Sequence, residues 1–548
     1  IHEDNNNTVW IAPQYGTFSY FDEANKCVVP CRLGGNMPVG RIVKRFRDSQ
    51  NNLWITGDHN LTLVNFKSYK FFSTEVLGGQ DTRAIFIDNS GLCWVGLNSG
   101  HVAIYDRNKN KINYLHPNGR ISDVKTPFSG MGVYSMLQDS QGNFWIGTKG
   151  DGIYRLSAAN GNFSVKHFRK GTDAFALSSN NIYDIKEDKS GNIWVATYGG
   201  GINLLLRKDI EKGVFHNLKN TIRRQKSDKF LKMRRLTLTK DNIMIASTTD
   251  GIATMSTLFK KPDDIKLFYT SKQEDNPKSL YTSDVLQTFI SKSGKIYVTT
   301  MGGGLQTIAS KQLLNDGLLF DNAESIDANE GIIQSITEDY NGNLWLIREG
   351  TIDRYNTTTK TSENYGPNDW NGNMEFTEAL VSINNRKDII AVGTVGGFMI
   401  FNTDDVKKSN YVPRIVFSGV QLEGERSIKP IFNNSELQIA SDKRNITVYF
   451  SAIDFSGVRN EIKYAYKIKE LDSDWSYTDM AHSASLNHLP SGHYTLIVKS
   501  TNTDGVWMEN ESELPIYIHP TFWETKWAWA LYLIIIVALI YAILYIYR

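Results

Sequence analysis

Between residues 1 and 410 short apolar stretches alternate with polar turns, and no segment before residue 520 carries a sustained helical period. NIYDIKED (181–188) alternates apolar and polar side chains, the signature of a half-buried strand. It runs into Asp-Lys-Ser-Gly-Asn (188–192), where Gly and Asn tolerate positive φ and make a turn. IWVAT (193–197) is then apolar on both faces, as a strand packed between neighbouring sheets must be. Gly199–Gly201 and Gly302–Gly304 supply a second turn in their copies, and a further strand such as IYRL (153–156) closes the unit.

This unit recurs. DSQGNFWIGTKGDGI (139–153), DKSGNIWVATYGGGI (188–202), DNSGLCWVGLNSGHV (88–102) and DYNGNLWLIREGTI (339–352) are close copies. DSQNNLWITGDHNL (48–61) and DNNNTVWIAPQYGTF (4–18) are looser, and KDNIMIASTTDGI (240–252), KSGKIYVTTMGGGL (292–305) and RKDIIAVGTVGGFM (386–399) keep the frame without the Trp. The equivalent positions are Trp10, Trp54, Trp94, Trp145, Trp194, Met244, Tyr297, Trp345 and Ala391, spaced by 44, 40, 51, 49, 50, 53, 48 and 46 residues. That period is one four-stranded blade of a β-propeller. The recurring Trp reads as blade core, and the recurring Asp (Asp88, Asp139, Asp188, Asp339) as a turn cap. Further carboxylates of a calcium loop do not accompany it. The Gly-rich turns lack the Gly-Lys-Ser/Thr and the following helix of a phosphate loop.

The pattern changes at the far end. AWALYLIIIVALIYAILYIY (528–547) holds no charge over 20 residues, enough to cross a bilayer core of about 30 Å. Trp523, Trp527 and Trp529 stand at one border, Tyr541, Tyr545 and Tyr547 at the other. The chain has 548 residues, 41% hydrophobic and 22% charged, which is a folded composition. A net charge of +2 gives no bulk-charge argument for a nucleic-acid binder. Three cysteines (Cys27, Cys31, Cys93) are too few for a disulfide scaffold or a Cys-rich zinc module. Residue 1 is Ile and the opening residues read as the middle of a folded unit, so a fragment is expected.

The repeats resemble the two-component regulator propeller repeat, found in the periplasmic sensors of hybrid two-component systems. GNMEFTEALVSINNRKDIIAVGTVGGFMIFNTDDV (372–406) is similar to that family's closing blade, and YKIKELDSDW (466–475), LPSGHY (489–494) and NTDGVW (502–507) look like its three-tyrosine domain. Tyr466 and Tyr494 stand at two named tyrosine positions and Leu486 at the third. The resemblance implies an all-β chain. Residues 1–75 would be the last blades of a truncated first propeller, 76–410 a seven-bladed β-propeller, 411–520 an immunoglobulin-like β-sandwich, and 526–548 a transmembrane helix. It also implies a sensor in the bacterial inner membrane with residues 1–525 in the periplasm. An oligosaccharide ligand, acidic ones included, and a homodimer are expected, with no nucleic acid bound by this region, no cofactor and no metal. Histidine kinase catalysis would belong to a part outside this chain, so no enzyme is expected here.

The residues themselves offer little catalytic chemistry: no HExxH, no Gly-x-Ser-x-Gly and no Cys-x-x-Cys. Carboxylates cannot be paired across blades from sequence, so a membrane-anchored glycosidase or lyase stays open, as does a protein-binding scaffold. Ligand candidates are departures from the repeat. Arg348 and Glu349 replace the Thr that ends this strand in Thr148, Thr197, Thr300 and Thr394. YGPNDWNGN (365–373) brings Trp370 and Asn371, an aromatic platform with an amide. LKNTIRRQKSDKFLKMRR (218–235) concentrates positive charge, with Arg223, Arg224, Arg234 and Arg235 suited to acidic groups. Tyr198, beside Gly199, is a further candidate.

Overall fold

The computed structural model describes the chain apart from residues 4–7, 12–17, 24, 31–43, 58–60, 66–70, 107, 109, 223–228, 324–330, 368, 371–373, 433–435, 457–461, 479 and 480, and the side chains of 2, 111 and 112. Two compact units form: Tyr69–Lys407, and Ile1–Ser68 together with Lys408–Arg548.

The first unit is a seven-bladed propeller. Its innermost strands are Thr82–Ile87, Val133–Gln138, Ile182–Glu187, Met233–Leu238, Val285–Ile290, Ser335–Glu338 and Ser382–Ile383, each starting an antiparallel sheet in chain order. The first blade carries a fifth strand, Ile121–Ser122. In the seventh, the outermost strand is Ser73–Glu75, paired with Gly397–Asn402. The repeat spacing assigns these residues to 1–75, yet they complete the ring. The last blade would otherwise end on an unpaired edge, and chain from the other end of the unit seals it.

Asp and Trp six residues apart latch each full repeat. Trp94, Trp145, Trp194 and Trp345 donate their indole N–H to Asp88, Asp139, Asp188 and Asp339 at 2.8, 2.9, 2.8 and 3.0 Å. The same carboxylates cap the turn: Asp139 also accepts the amides of Gln141 and Asn143. The rings sit between blades. Trp194 packs with Met244 and Met255 of the next sheet, and Trp345 with Ile390 and Met399. Removing a ring of this size from water contributes roughly 1.5–3 kcal/mol or more, so these positions dominate inter-blade cohesion.

In the second unit, strands at His2–Glu3, Val9–Ile11, Ser19–Asp22 and Cys27–Pro30 form one sheet, and Lys44–Arg47, Leu53–Thr56 and Leu61–Val64 another. Residues 414–518 make a two-sheet sandwich. One sheet orders Lys429–Pro430, Arg414–Leu422, Ile446–Ile453 and Ser483–Leu486. The other orders Leu437–Ile439, Ser512–Ile518, Gly492–Ser500, Tyr464–Ile468 and Ser476–Thr478. Phe417, Phe450, Tyr464, Leu486, Leu496 and Leu514 fill the space between. Leu486 lies in this core, and so does Tyr494, while Tyr466 is partly buried against it. The fully buried tyrosine is Tyr464, whose hydroxyl accepts the amide of Ala452 at 3.0 Å.

The 44–64 sheet is keyed to this sandwich. The Gln50 amide donates to Asp454 at 2.7 Å and accepts the Phe455 amide at 2.7 Å. Asn65 donates to the Phe455 carbonyl at 2.6 Å, and the Phe455 ring stands edge-on to Trp54 at 5.1 Å. After the sandwich, Glu524 pairs with Arg444, and Thr525 caps the helix Lys526–Ile546 by accepting the Ala528 amide at 3.3 Å. This helix, of mean hydropathy 2.6, is long and apolar enough to cross a membrane.

Candidate functional site

The innermost strands begin at one end of the propeller axis, and there five of them share a defect. In the ladder, pairing jumps from Val133 to Ser135, from Ile182 to Asp184, from Met233 to Arg235 and from Val285 to Gln287. Opposite the shift at Gly96–Leu97, it jumps from Thr82 to Ala84. Each skipped residue is a β-bulge: Arg83, Tyr134, Tyr183, Arg234 and Leu286. A bulge re-aims its side chain out of the alternation, and such defects recur next to functional sites.

All five line one cavity of about 200 Å³, together with Arg235, Met301, Ile332, Gln334, Glu349 and Glu378. The second strand of each blade runs back toward this rim, which brings Met301 and Glu349 to it. Sites for drug-sized ligands occupy roughly 300–1,000 Å³, and this mouth is smaller than that.

Aromatic faces make one side. Tyr134 and Tyr183 have ring centroids 5.4 Å apart at 51°, and Tyr198 stacks on Tyr183 at 4.9 Å and 23°. Lys149 sits 5.2 Å from the Tyr134 centroid and Lys232 5.5 Å from that of Tyr198. Burial raises the Tyr183 pKa, which keeps the phenol neutral and able to donate. Guanidinium groups make another side. Arg234 forks onto Asp284 at 3.0 and 3.2 Å. Arg235 donates to the carbonyls of Tyr183 and Glu378 at 2.7 and 2.9 Å. Burial lowers the Arg235 pKa, and Asp184 and Glu378 oppose that shift. Arg83 reaches Asp81 at only 3.4 Å, and its buried Nε has no hydrogen-bond partner among the described residues. The site thus offers flat rings for stacking and fixed donors for hydroxyl or carboxylate oxygens.

The sequence candidates divide. Arg234, Arg235 and Glu349 meet at the cavity, and Tyr198 backs its tyrosine wall. Arg348 does not face ligand: it is buried inside its blade, donating to Asp353 at 2.7 Å and to the Gly331 carbonyl at 2.6 Å. Burial without that carboxylate would leave an uncompensated charge, so the pair is structural. Trp370 is no platform, because its ring is 1% exposed and packs against Phe71 and Phe376. Asn371, Arg223 and Arg224 lie outside the described residues. Arg83, Tyr134, Tyr183, Gln334 and Glu378 were missed. No sequence pattern marks them: the one-residue bulge that turns Arg83, Tyr134, Tyr183, Arg234 and Leu286 to the mouth shows only in the strand pairing. Among the described residues no group of three or more His, Cys, Asp or Glu side chains could hold a metal.

Comparison with known proteins agrees with the repeat and the sandwich. Residues 127–150 and 176–199 match the two component regulator propeller, and residues 457–519 match the Y_Y_Y domain. Histidine kinase P4 of Formosa agariphila is 28% identical over 211 residues, which are 36% of this chain and 15% of that protein. The chain therefore matches a small part of that relative's length. Among solved structures, two extracellular domains from B. thetaiotaomicron described as belonging to hybrid two component systems are similar. One, BT4673, is 16% identical, covers 94% of this chain and 69% of its own, and has a TM-score of 0.49. The other, BT3049, is 18% identical, covers 94% and 84%, and has a TM-score of 0.41. The chain carries two-component regulator propeller repeats and a Y_Y_Y domain, with one candidate membrane-spanning helix after them.

Proposed function

We propose that this chain is the ligand-sensing, extracytoplasmic region of a hybrid two-component sensor that recognises an oligosaccharide, acidic ones included, and controls glycan-utilisation genes. It would sit in a bacterial inner membrane with residues 1–525 in the periplasm, act as a homodimer and pass its signal to a kinase part outside this chain. The convergence of five bulge residues on one channel mouth carries the proposal, since a purely structural ring needs no repeated defect there. The tyrosine wall would stack on a sugar ring, and the guanidinium groups would read hydroxyl or carboxylate oxygens. A ligand signals only by favouring one conformational state, and a tenfold preference is worth about 1.4 kcal/mol.

The test is a panel of neutral and acidic oligosaccharides added to the full chain in detergent micelles, read by thermal unfolding and calorimetry. Ligand at 100 times its Kd stabilises by about 2.7 kcal/mol. Tyr183→Ala should abolish that gain and leave the ligand-free melting temperature nearly unchanged. A binder indifferent to Tyr183→Ala would place recognition elsewhere. Release of shortened saccharide would instead favour a glycosidase or lyase, with Glu349 and Glu378 as the carboxylates to mutate.

A further inference from the structure

The second unit holds two ammonium groups against one indole. On the outer face of the five-stranded sheet, Lys467 and Lys499 are diagonal neighbours, since Lys467 pairs with Ile497 and Ala465 with Lys499. Both ammonium groups converge on one indole: Lys467 Nζ lies 4.7 Å and Lys499 Nζ 4.1 Å from the Trp475 centroid. Lys499 also lies 5.6 Å from the Trp507 centroid. Trp507 meets Tyr477 edge-on at 5.4 Å, and both rings are exposed, Tyr477 by 66% and Trp507 by 40%.

Two like charges held over one ring repel, and each costs stability unless an anion lies near. Among the described residues neither ammonium has a carboxylate within 4.0 Å. Of the acids near this face, Glu470 accepts from Thr495 and Glu513 lies 3.8 Å from Lys469, while Glu511, next along the chain from Ser512, is exposed. The indole faces soften the repulsion through cation–π attraction and hold the ammonium groups in place. The result is a pair of ammonium groups held against one indole and edged by exposed aromatic rings.

We infer that this face binds a polyanionic saccharide, sulfated or carboxylated, with its acid groups on Lys467 and Lys499 and its sugar rings against Trp507 and Tyr477. Charge complementarity sets the sign of the partner. The geometry favours a saccharide over an acidic peptide. Ser476–Thr478, which carries Tyr477, is the outermost strand of this sheet, so strand addition by an acidic peptide is the rival that the poly-glutamate probe tests. A flat face with exposed rings suits the apolar face of a pyranose. This site is separate from the channel mouth, and it stands whether or not ligand binds there.

The experiment uses the full chain in detergent micelles and three probes of matched length: dextran sulfate, neutral dextran and poly-glutamate. Binding is measured by calorimetry at low and high salt. Dextran sulfate should bind, weaken as salt rises, and lose affinity at least about tenfold in Lys467→Gln/Lys499→Gln. Trp507→Ala should weaken dextran sulfate and leave poly-glutamate unchanged. The loss in the lysine variants should be the same in a Tyr183→Ala background, which removes any dextran sulfate bound at the channel mouth. If the double variant misfolds, Lys499→Gln alone should still lose several-fold. Unchanged affinity in the lysine variants overturns the site. Poly-glutamate binding as tightly as dextran sulfate, with equal dependence on Trp507, overturns the saccharide assignment.

Discussion

Asp139→Ala tests the latch that repeats through the propeller. The Asp139 carboxylate is 4% exposed and accepts four kinds of donor. These are the Gln141 amide at 3.0 Å, the Asn143 amide at 2.8 Å, the Asn143 side chain at 3.0 Å and the Trp145 indole at 2.9 Å. Gln141 is exposed and its amide can turn to water. Trp145 is fully buried, so its N–H would be left without a partner, which costs about 1–3 kcal/mol. Loss of the charge-assisted bonds to buried Asn143 adds about 1.5–3 kcal/mol. The sum is roughly 2.5–6 kcal/mol. For a unit of the size of Tyr69–Lys407, unfolding entropy makes 3 kcal/mol worth roughly 4 °C of melting temperature. Asp106→Ala is the internal control. Asp106 caps the same turn, accepting the amides of Asn108 and Asn110 at 2.9 and 2.8 Å, but both donors are exposed and position 112 is Ile, not Trp. It should cost less than about 1 kcal/mol. Urea and calorimetric unfolding of both variants decide the matter. Equal small losses in the two would refute the view that the buried indole needs its carboxylate.

Three further outcomes are expected. Asp454 has its pKa lowered: burial pushes it up, but hydrogen bonds from Ser456, Thr503 and Gln50 outweigh that. Its stabilisation of the joint to the 44–64 sheet is therefore full above the ordinary value of 3.8 and fades as pH falls through the lower folded value. Hydrogen exchange at Phe455 should accelerate in that acid window in the wild type, and Asp454→Asn should remove the pH dependence. Gly251→Ala should destabilise the fourth blade by more than about 2 kcal/mol in urea unfolding, because Gly251 has φ +128° and a Cβ there would meet the Thr270 carbonyl at 1.9 Å. Cys93 is buried and its thiol pKa is pushed far up by that burial and by nearby Asp88, so alkylation at pH 8 should fail until the protein unfolds.

Much of the fold was legible because its information is local. A turn that needs Asp and Gly, followed by a strand that needs apolar side chains on both faces, repeats with a countable period, and Trp145 and Trp194 mark it directly. The apolar run after residue 526 is equally self-declaring. Arg234 and Arg235 stood out by charge alone, and the structure does bring them to the channel mouth.

What only the tertiary structure decided is where side chains point. Trp370, rich in promise beside Asn and Asp, lies buried because Phe71 from more than 290 residues earlier closes over it. Arg348 is spent on Asp353, a partner fixed by the pairing of two strands. Tyr134 and Tyr183 look like ordinary inward-alternating strand residues until the bulge turns them to the axis. A one-residue bulge flips the face a side chain occupies, and the same single residue is invisible to a period of about fifty. The sequence determined the blades, the sandwich and the apolar span, because each follows from short-range pattern. The ring's closure by Ser73–Glu75, the mouth it frames and the lysine-bearing face of the sandwich arise from contacts between residues far apart in the chain, which no local pattern encodes.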